Sequence, residues 1–316
     1  MTNLSGASWV LPLAWSHAML VLAAPRARLR ARQHALSSNY LAPMALLSFP
    51  EPYDFELSTE RYRAFGPDLA NLWQDGGLHR VVGGQEVRIV GADGGVDVVP
   101  SGLAIEAVAR KLLGAEFDLD AFYAFAATEP VLAELVVALR GLRPPLAVDP
   151  FETLVTSITA QQVSLFAAFA IRNRFIATFG VRATHAYAFP ARERLAIAEE
   201  AELVALGFSR RKAEYVVTLA RSDLDLHALA SLPDDEVKAQ LVAQRGIGEW
   251  TADWFLARHL ARPRAWPWGD LGLRKAVAAF YGADTDVRAF GAHFDPFQNL
   301  AAHYLLTGLR VHPPGN

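Results

Sequence analysis

The chain has no cysteine among its 316 residues. That excludes disulfides, cysteine-held zinc and cysteine-ligated iron–sulfur clusters, and it fits a cytoplasmic compartment without requiring one. Positive charge is not in excess either: 30 Lys and Arg face 33 Asp and Glu, for a net charge of −3. Global charge therefore cannot drive binding to nucleic acid, and any grip on an anion has to be local. The nine histidines are scattered, with no i, i+4 pair and no His-Glu-x-x-His run, so no zinc site is expected. A long unbroken apolar run is also missing. Trp9–Trp15 and Met19–Ala24 are apolar, but Pro12, Ser16 and His17 interrupt them, and the stretch is short for a membrane span. Arg26, Arg28, Arg30 and Arg32 follow the apolar part, whereas a signal peptide carries its positive charge ahead of it. Residues 1–43 are read as a disordered extension, with Met44 as a candidate start and no membrane partner.

What is present is a chain 52% hydrophobic and 20% charged, long enough for a substantial core and two domains. Ala45–Phe49 reads as a strand and Ser58–Leu72 as a helix. Leu78–Val90 reads as a hairpin about Gly83-Gly84, and Val96–Val99 as a further strand. After Ser101 the strand signal stops. Ala- and Leu-rich helical spacing takes over, with breaks near Gly141–Pro145, Gly180, Gly207, Ser222 and Pro233. The expected architecture is α+β: a small antiparallel α/β domain over 44–115, then a larger all-helical domain over 116–316.

Two features carry chemistry. Pro233–Gln244 reads as a helix with Ser231 as its cap, Arg245-Gly-Ile-Gly248 breaks it, and helical spacing resumes at Thr251. Gly246 and Gly248 tolerate positive φ, so the turn delivers free N–H groups at a helix N-terminus, where an anion is favoured. Such a grip holds phosphate without reading bases. A plain helical corner with a glycine C-cap is the alternative reading. The second feature is Asp270. It follows the Pro- and Trp-rich loop Arg262–Gly269 and precedes helical spacing from Leu271. An N-cap is its structural role. A carboxylate among aromatics is also what N-glycosidic hydrolysis uses, to stabilise oxocarbenium character and to orient water.

The pattern resembles the helix-hairpin-helix DNA glycosylases, most of all the 3-methyladenine DNA glycosylase II type. Four segments in order carry the resemblance: Pro52–Phe55, Phe151–Ser164, Gly207–Tyr215 and the hairpin with Asp270. The resemblance runs from about Leu47 to the C-terminus. It implies a fold with a helix-hairpin-helix core and double-stranded DNA containing damaged bases as partner, with no obligate protein partner. Asp270 is the implied catalytic carboxylate. Arg245, Gly246, Gly248, Thr251 and Arg274 are implied phosphate contacts, and the carbonyls near Gly246 and Gly248 an implied monovalent-cation site. Gln161 and Gln162 match the DNA wedge, with Gln162 inserting where a base has been flipped out. Trp250 and Trp254, four apart on one face, match pocket aromatics suited to a cationic alkylated base, at roughly 0.5–2 kcal/mol of cation–π attraction. Tyr62 closes the same pocket. Leu306, with Tyr304 nearby, stands where some relatives have an aromatic, a departure that bears on substrate range. Trp250 stands where bifunctional relatives carry a nucleophilic lysine, so a monofunctional enzyme without lyase activity is expected. Deaminated or mismatched bases, and a DNA-binding module without catalysis, are the competing readings.

Overall fold

The computed structural model describes residues 43–314. The expectations for residues 1–42 lie outside the described residues. Among those described, no helix is long and apolar enough to cross a membrane.

Five antiparallel strands form one sheet in the order β1-β5-β4-β3-β2: β1 Ala45–Ser48, β2 Leu72–Gln74, β3 Gly77–Val82, β4 Gln85–Ala92 and β5 Gly95–Val99. Gly83 and Gly84 take φ of +56° and +81° between the paired ends Val82 and Gln85. Positive φ at both central residues is the tight hairpin geometry whose twist matches the strands. Alternation then decides the faces: Val87 and Ile89 of β4 point inward with Leu47, Leu78, Val96 and Val98. The helix Leu103–Leu112 closes this core with Ala109 and Leu112.

The expected helix over Ser58–Leu72 does not form as such. Two short helices, Phe55–Thr59 and Arg61–Ala64, end before Gly66 (φ +100°) and Pro67, and Leu72–Gln74 is drawn into the sheet as β2. Proline disfavours the helical region for its predecessor, and pairing with β3 supplies the backbone partners that a continued helix would have. A second, two-stranded sheet was not legible: β6 Val181–Arg182 pairs with β7 Tyr187–Ala188, each too short to show a period.

The rest is helical and packs around two cores. One gathers Leu154, Phe175, Val216, Leu241, Ile247, Trp254 and Phe255. The other gathers Phe122, Leu135, Trp266, Leu273, Phe294 and Tyr304. Leu306 packs against both, and the residues of the candidate site fall along this seam. The C-terminal helix Gln298–Val311 is buried over most of its length.

A buried ionic network ties the sheet to the helices. Glu152 accepts from Arg80 at 2.7 Å and from Arg172 at 2.6 Å, and Arg172 also reaches Asp68 at 3.2 Å. Burial pushes the Glu152 carboxyl up, but the two guanidiniums outweigh it and hold the pKa at about 2. Removing one member strands the others in low dielectric. Glu152→Gln is expected to cost about 3–5 kcal/mol in urea unfolding at neutral pH. Because the folded pKa is depressed, the network's contribution is complete above the ordinary carboxylate value near 4.5 and is lost as pH falls toward 2. A wild-type and Glu152→Gln pair with the same stability at pH 7 would contradict this role.

Candidate active site

Only the first hairpin glycine is required by the turn; Gly248 takes φ −104° with open space where a Cβ would stand. The helix Asp234–Val242 ends, Gly246 turns the chain at φ +85°, Ile247 plugs the core, and the helix Glu249–Arg258 begins. A Cβ on Gly246 would lie 2.1 Å from the ring of Tyr215, so the turn needs glycine for space as well as for φ. No side chain caps the second hairpin helix, and Gly248 and Glu249 are exposed, so its leading N–H groups face outward as an anion site needs. Ser231 is not the cap of the first helix. It lies in a 3-10 turn bonded to Ala228, and Pro233 occupies the N-cap position.

Of the implied phosphate contacts, Arg245 and Arg274 are exposed, and Arg245 pairs with Glu214 at 2.8 Å. Thr251 is a correction: it is buried, its amide bonds back to Gly248, and its hydroxyl faces Gln161. Both glycine carbonyls of the hairpin have partners within the protein. That of Gly246 accepts from Gln161 Nε2 at 3.0 Å, and that of Gly248 accepts the amides of Thr251 and Ala252. Gln161 is therefore a strut between its own turn and the hairpin, and of the two glutamines only Gln162 is exposed, with φ +54°.

Asp270 sits at the start of the helix Leu271–Tyr281. Its Oδ1 accepts the Leu273 amide at 3.0 Å, the N-cap bond expected from sequence. Its Oδ2 accepts the indole N–H of Trp250 at 3.0 Å and that of Trp254 at 3.0 Å. Hydrogen bonds to a charged acceptor are worth about 1.5–3 kcal/mol each. The carboxylate is thus fixed from two helices in a half-buried position.

The indoles hold the carboxylate, and this changes the reading of the pocket. Trp254 is 3% exposed, and the guanidinium of Arg258 lies 3.6 Å from its ring centroid. The face expected to stack on a cationic base is taken by a cation of the chain itself. Trp250 keeps partial exposure. Tyr62 is a second correction: it packs against the sheet core, and its neighbour Arg61 lines the cleft instead. Tyr304 is a third. It is fully buried, its hydroxyl donating to Leu142 and meeting Tyr123. Leu306 does line the cleft: a Cβ added to Gly272 would meet Asp270 Oδ1 and Leu306 Cδ2 at 3.0 and 3.1 Å.

Sequence reasoning missed the cations of that cleft. Arg61, Arg258, His303, Leu306, Thr307 and Arg310 line it. Burial, with Arg61 and Arg310 nearby, pushes Arg258 well below the usual guanidinium range. Burial and Arg310 bring Arg61 to about 10. Burial and the guanidiniums likewise push His303 well below its ordinary value, so its ring is neutral at pH 7. Arg258 Nε and His303 Nε2 are buried without a partner. Arg258 was within reach of sequence, four residues past Trp254 on the same helical face.

Residues 155–292 match the family described as HhH-GPD superfamily base excision DNA repair protein. The chain is similar to a DNA-3-methyladenine glycosylase of Bacillus subtilis, at 31% identity over 51% of this chain and 55% of that protein. It is also similar to DNA-3-methyladenine glycosylase 2 of Escherichia coli, at 36% identity over 40% of this chain and 47% of that protein. It thus spans about half the length of these curated relatives. The solved 3-methyladenine DNA glycosylase of Archaeoglobus fulgidus shares the fold, with a TM-score of 0.77 at 24% identity, over 85% of this chain and 99% of that one.

Gly246→Ala is expected to cost roughly 1–3 kcal/mol through the strained φ and the clash with Tyr215. It should also weaken binding to duplex DNA, read by fluorescence anisotropy. Adding Tyr215→Ala should recover part of the stability. A Gly246→Ala protein that melts and binds like the parent would remove the structural case for the hairpin.

Proposed function

We propose that this protein is a monofunctional DNA glycosylase that hydrolyses the N-glycosidic bond of damaged bases, alkylated purines first, in duplex DNA. The observation that carries the proposal is the Asp270 carboxylate, held by Trp250, Trp254 and the Leu273 amide beside a cleft. The hairpin amides and Arg245 hold the backbone, and Gln162 fills the space left by an extruded nucleotide. Trp250 contacts the base. Asp270 stabilises positive charge developing on the sugar and orients the attacking water. The products are a free base and an abasic site. With Trp250 in place of an amine nucleophile, no covalent enzyme–sugar adduct forms. The reading needs no cofactor for this chemistry and no obligate protein partner, and places the enzyme on chromosomal DNA in the cytoplasm.

A second reading concerns the base. Arg258 covers one face of Trp254 and lines the cleft with Arg61 and Arg310, a cationic wall that calls for an acceptor. A base with a carbonyl edge and no charge, such as a deaminated purine, meets that demand better than a methylated cation does.

Incubation with methylated and with deaminated duplex DNA, followed by mass spectrometry of released bases, tests both. Release is expected to fall at least roughly a hundredfold in Asp270→Asn. Borohydride should trap no adduct. Hypoxanthine released faster than 3-methyladenine would favour the second reading. Unchanged release by Asp270→Asn, or a trapped adduct, would contradict the mechanism.

A further inference from the structure

Outside the candidate site, three side chains converge from distant parts of the chain. His79 lies on β3, Glu86 on β4 and His185 in the turn between β6 and β7. The register pairs His79 with Arg88 and Val81 with Glu86, so His79 and Glu86 are diagonal neighbours on one face of the sheet. Glu86 Oε1 meets His79 Nδ1 at 2.8 Å and His185 Nδ1 at 2.9 Å. The three ligand atoms lie within 4.8 Å of one another. The other carboxylate oxygen is fixed separately: Glu86 Oε2 accepts the amides of His185 at 2.6 Å and Ala186 at 3.1 Å. Anchoring one oxygen by amides while leaving the other to face two imidazoles is how a ligating carboxylate is oriented. His79 is 6% exposed, and Nδ1 is its only ring nitrogen with a partner. The His185 side chain is 43% exposed, so the cluster opens to water on that side.

We propose that His79, Glu86 and His185 form a binding site for a divalent transition-metal ion, with zinc the best match. Two imidazole nitrogens and one carboxylate oxygen are a zinc donor set, and water from the open side completes a tetrahedron. Without metal, each Nδ1 carries a proton and shares it with Oε1. The ion takes the Nδ1 lone pair of each neutral imidazole; each Nδ1 proton moves through solvent to Nε2 of the same ring, and no other covalent bond changes. Tetrahedral bonds of about 2.0–2.1 Å set the donors roughly 3.3 Å apart, so Oε1 and the two nitrogens separate by about half an ångström. The ion pins the β3–β4 hairpin to a turn 99 residues further along the chain. Its role is to stabilise this junction, away from the cleft beside Asp270. The histidine spacing in the sequence gave no sign of it, because a sheet register and a remote turn, rather than one helix, bring the ligands together.

The test uses the full chain, stripped with EDTA, dialysed and titrated with zinc chloride by calorimetry, with a thermal melt at each point. The expected result is about one zinc per chain and a Tm raised by several degrees. Cobalt in place of zinc should give the visible absorption of a tetrahedral site. His185→Ala is the main variant because the side chain is half in solvent and its loss leaves the fold intact. It should melt like the metal-free parent and lose both the stoichiometric binding and the Tm rise. Glu86→Gln should lose them too. No stoichiometric binding by the parent, or an equal Tm rise in His185→Ala, overturns the proposal.

Discussion

Three N–H groups from two helices converge on Asp270, and the arrangement around the cleft depends on that convergence. Oδ1 closes the first turn of the helix Leu271–Tyr281, and Oδ2 is gripped by Trp250 and Trp254. The helix cap and the indole bonds therefore use different oxygens of one carboxylate and do not compete. The indoles come from the second hairpin helix, so the hairpin also aims the carboxylate.

The same coupling extends to the wedge. Gln161 joins the wedge turn to the Gly246 carbonyl, and Tyr215 packs where a Cβ on Gly246 would stand. Wedge, hairpin and carboxylate form one rigid chain of contacts at the seam of two helical cores. Rigidity here is useful, since the extruded nucleotide has to meet a fixed carboxylate within a fraction of an ångström. The cations around the cleft are less easily reconciled with an alkylated, cationic base. Arg258 on the face of Trp254, with Arg61 and Arg310 beside it, makes the pocket more hospitable to acceptor groups than to positive charge.

Much of this was legible in the sequence wherever the signal is local. The Gly83-Gly84 hairpin, the Gly246–Gly248 turn and Asp270 at a helix start each depend on residues within one turn of each other. The failures have equally specific reasons. Tyr304 and Leu306 were both assigned to the pocket, yet residues two apart on a helix point to different faces. His303, Leu306, Thr307 and Arg310, at spacings of three and four, are the ones that share the cleft. Trp250 and Trp254 were placed on the right face, but the sequence could not show that their N–H groups serve Asp270 or that Arg258 covers one ring. Arg61 and Tyr62 are neighbours in the short helix Arg61–Ala64 and point about 100° apart, Arg61 to the cleft and Tyr62 to the sheet core. The Glu86 cluster and the β6–β7 hairpin depend on pairing across long separations, which no local period encodes.

The central claim is that Asp270 is aimed at positive charge on the sugar. The most direct measurement is the affinity for a duplex in which one nucleoside is replaced by a cationic pyrrolidine mimic of the oxocarbenium ion. The account predicts that the protein binds this duplex far more tightly than one with a neutral abasic analogue, and that Asp270→Asn abolishes the difference while binding the neutral duplex as before. Equal affinity for the two duplexes, or a preference that survives Asp270→Asn, would contradict it.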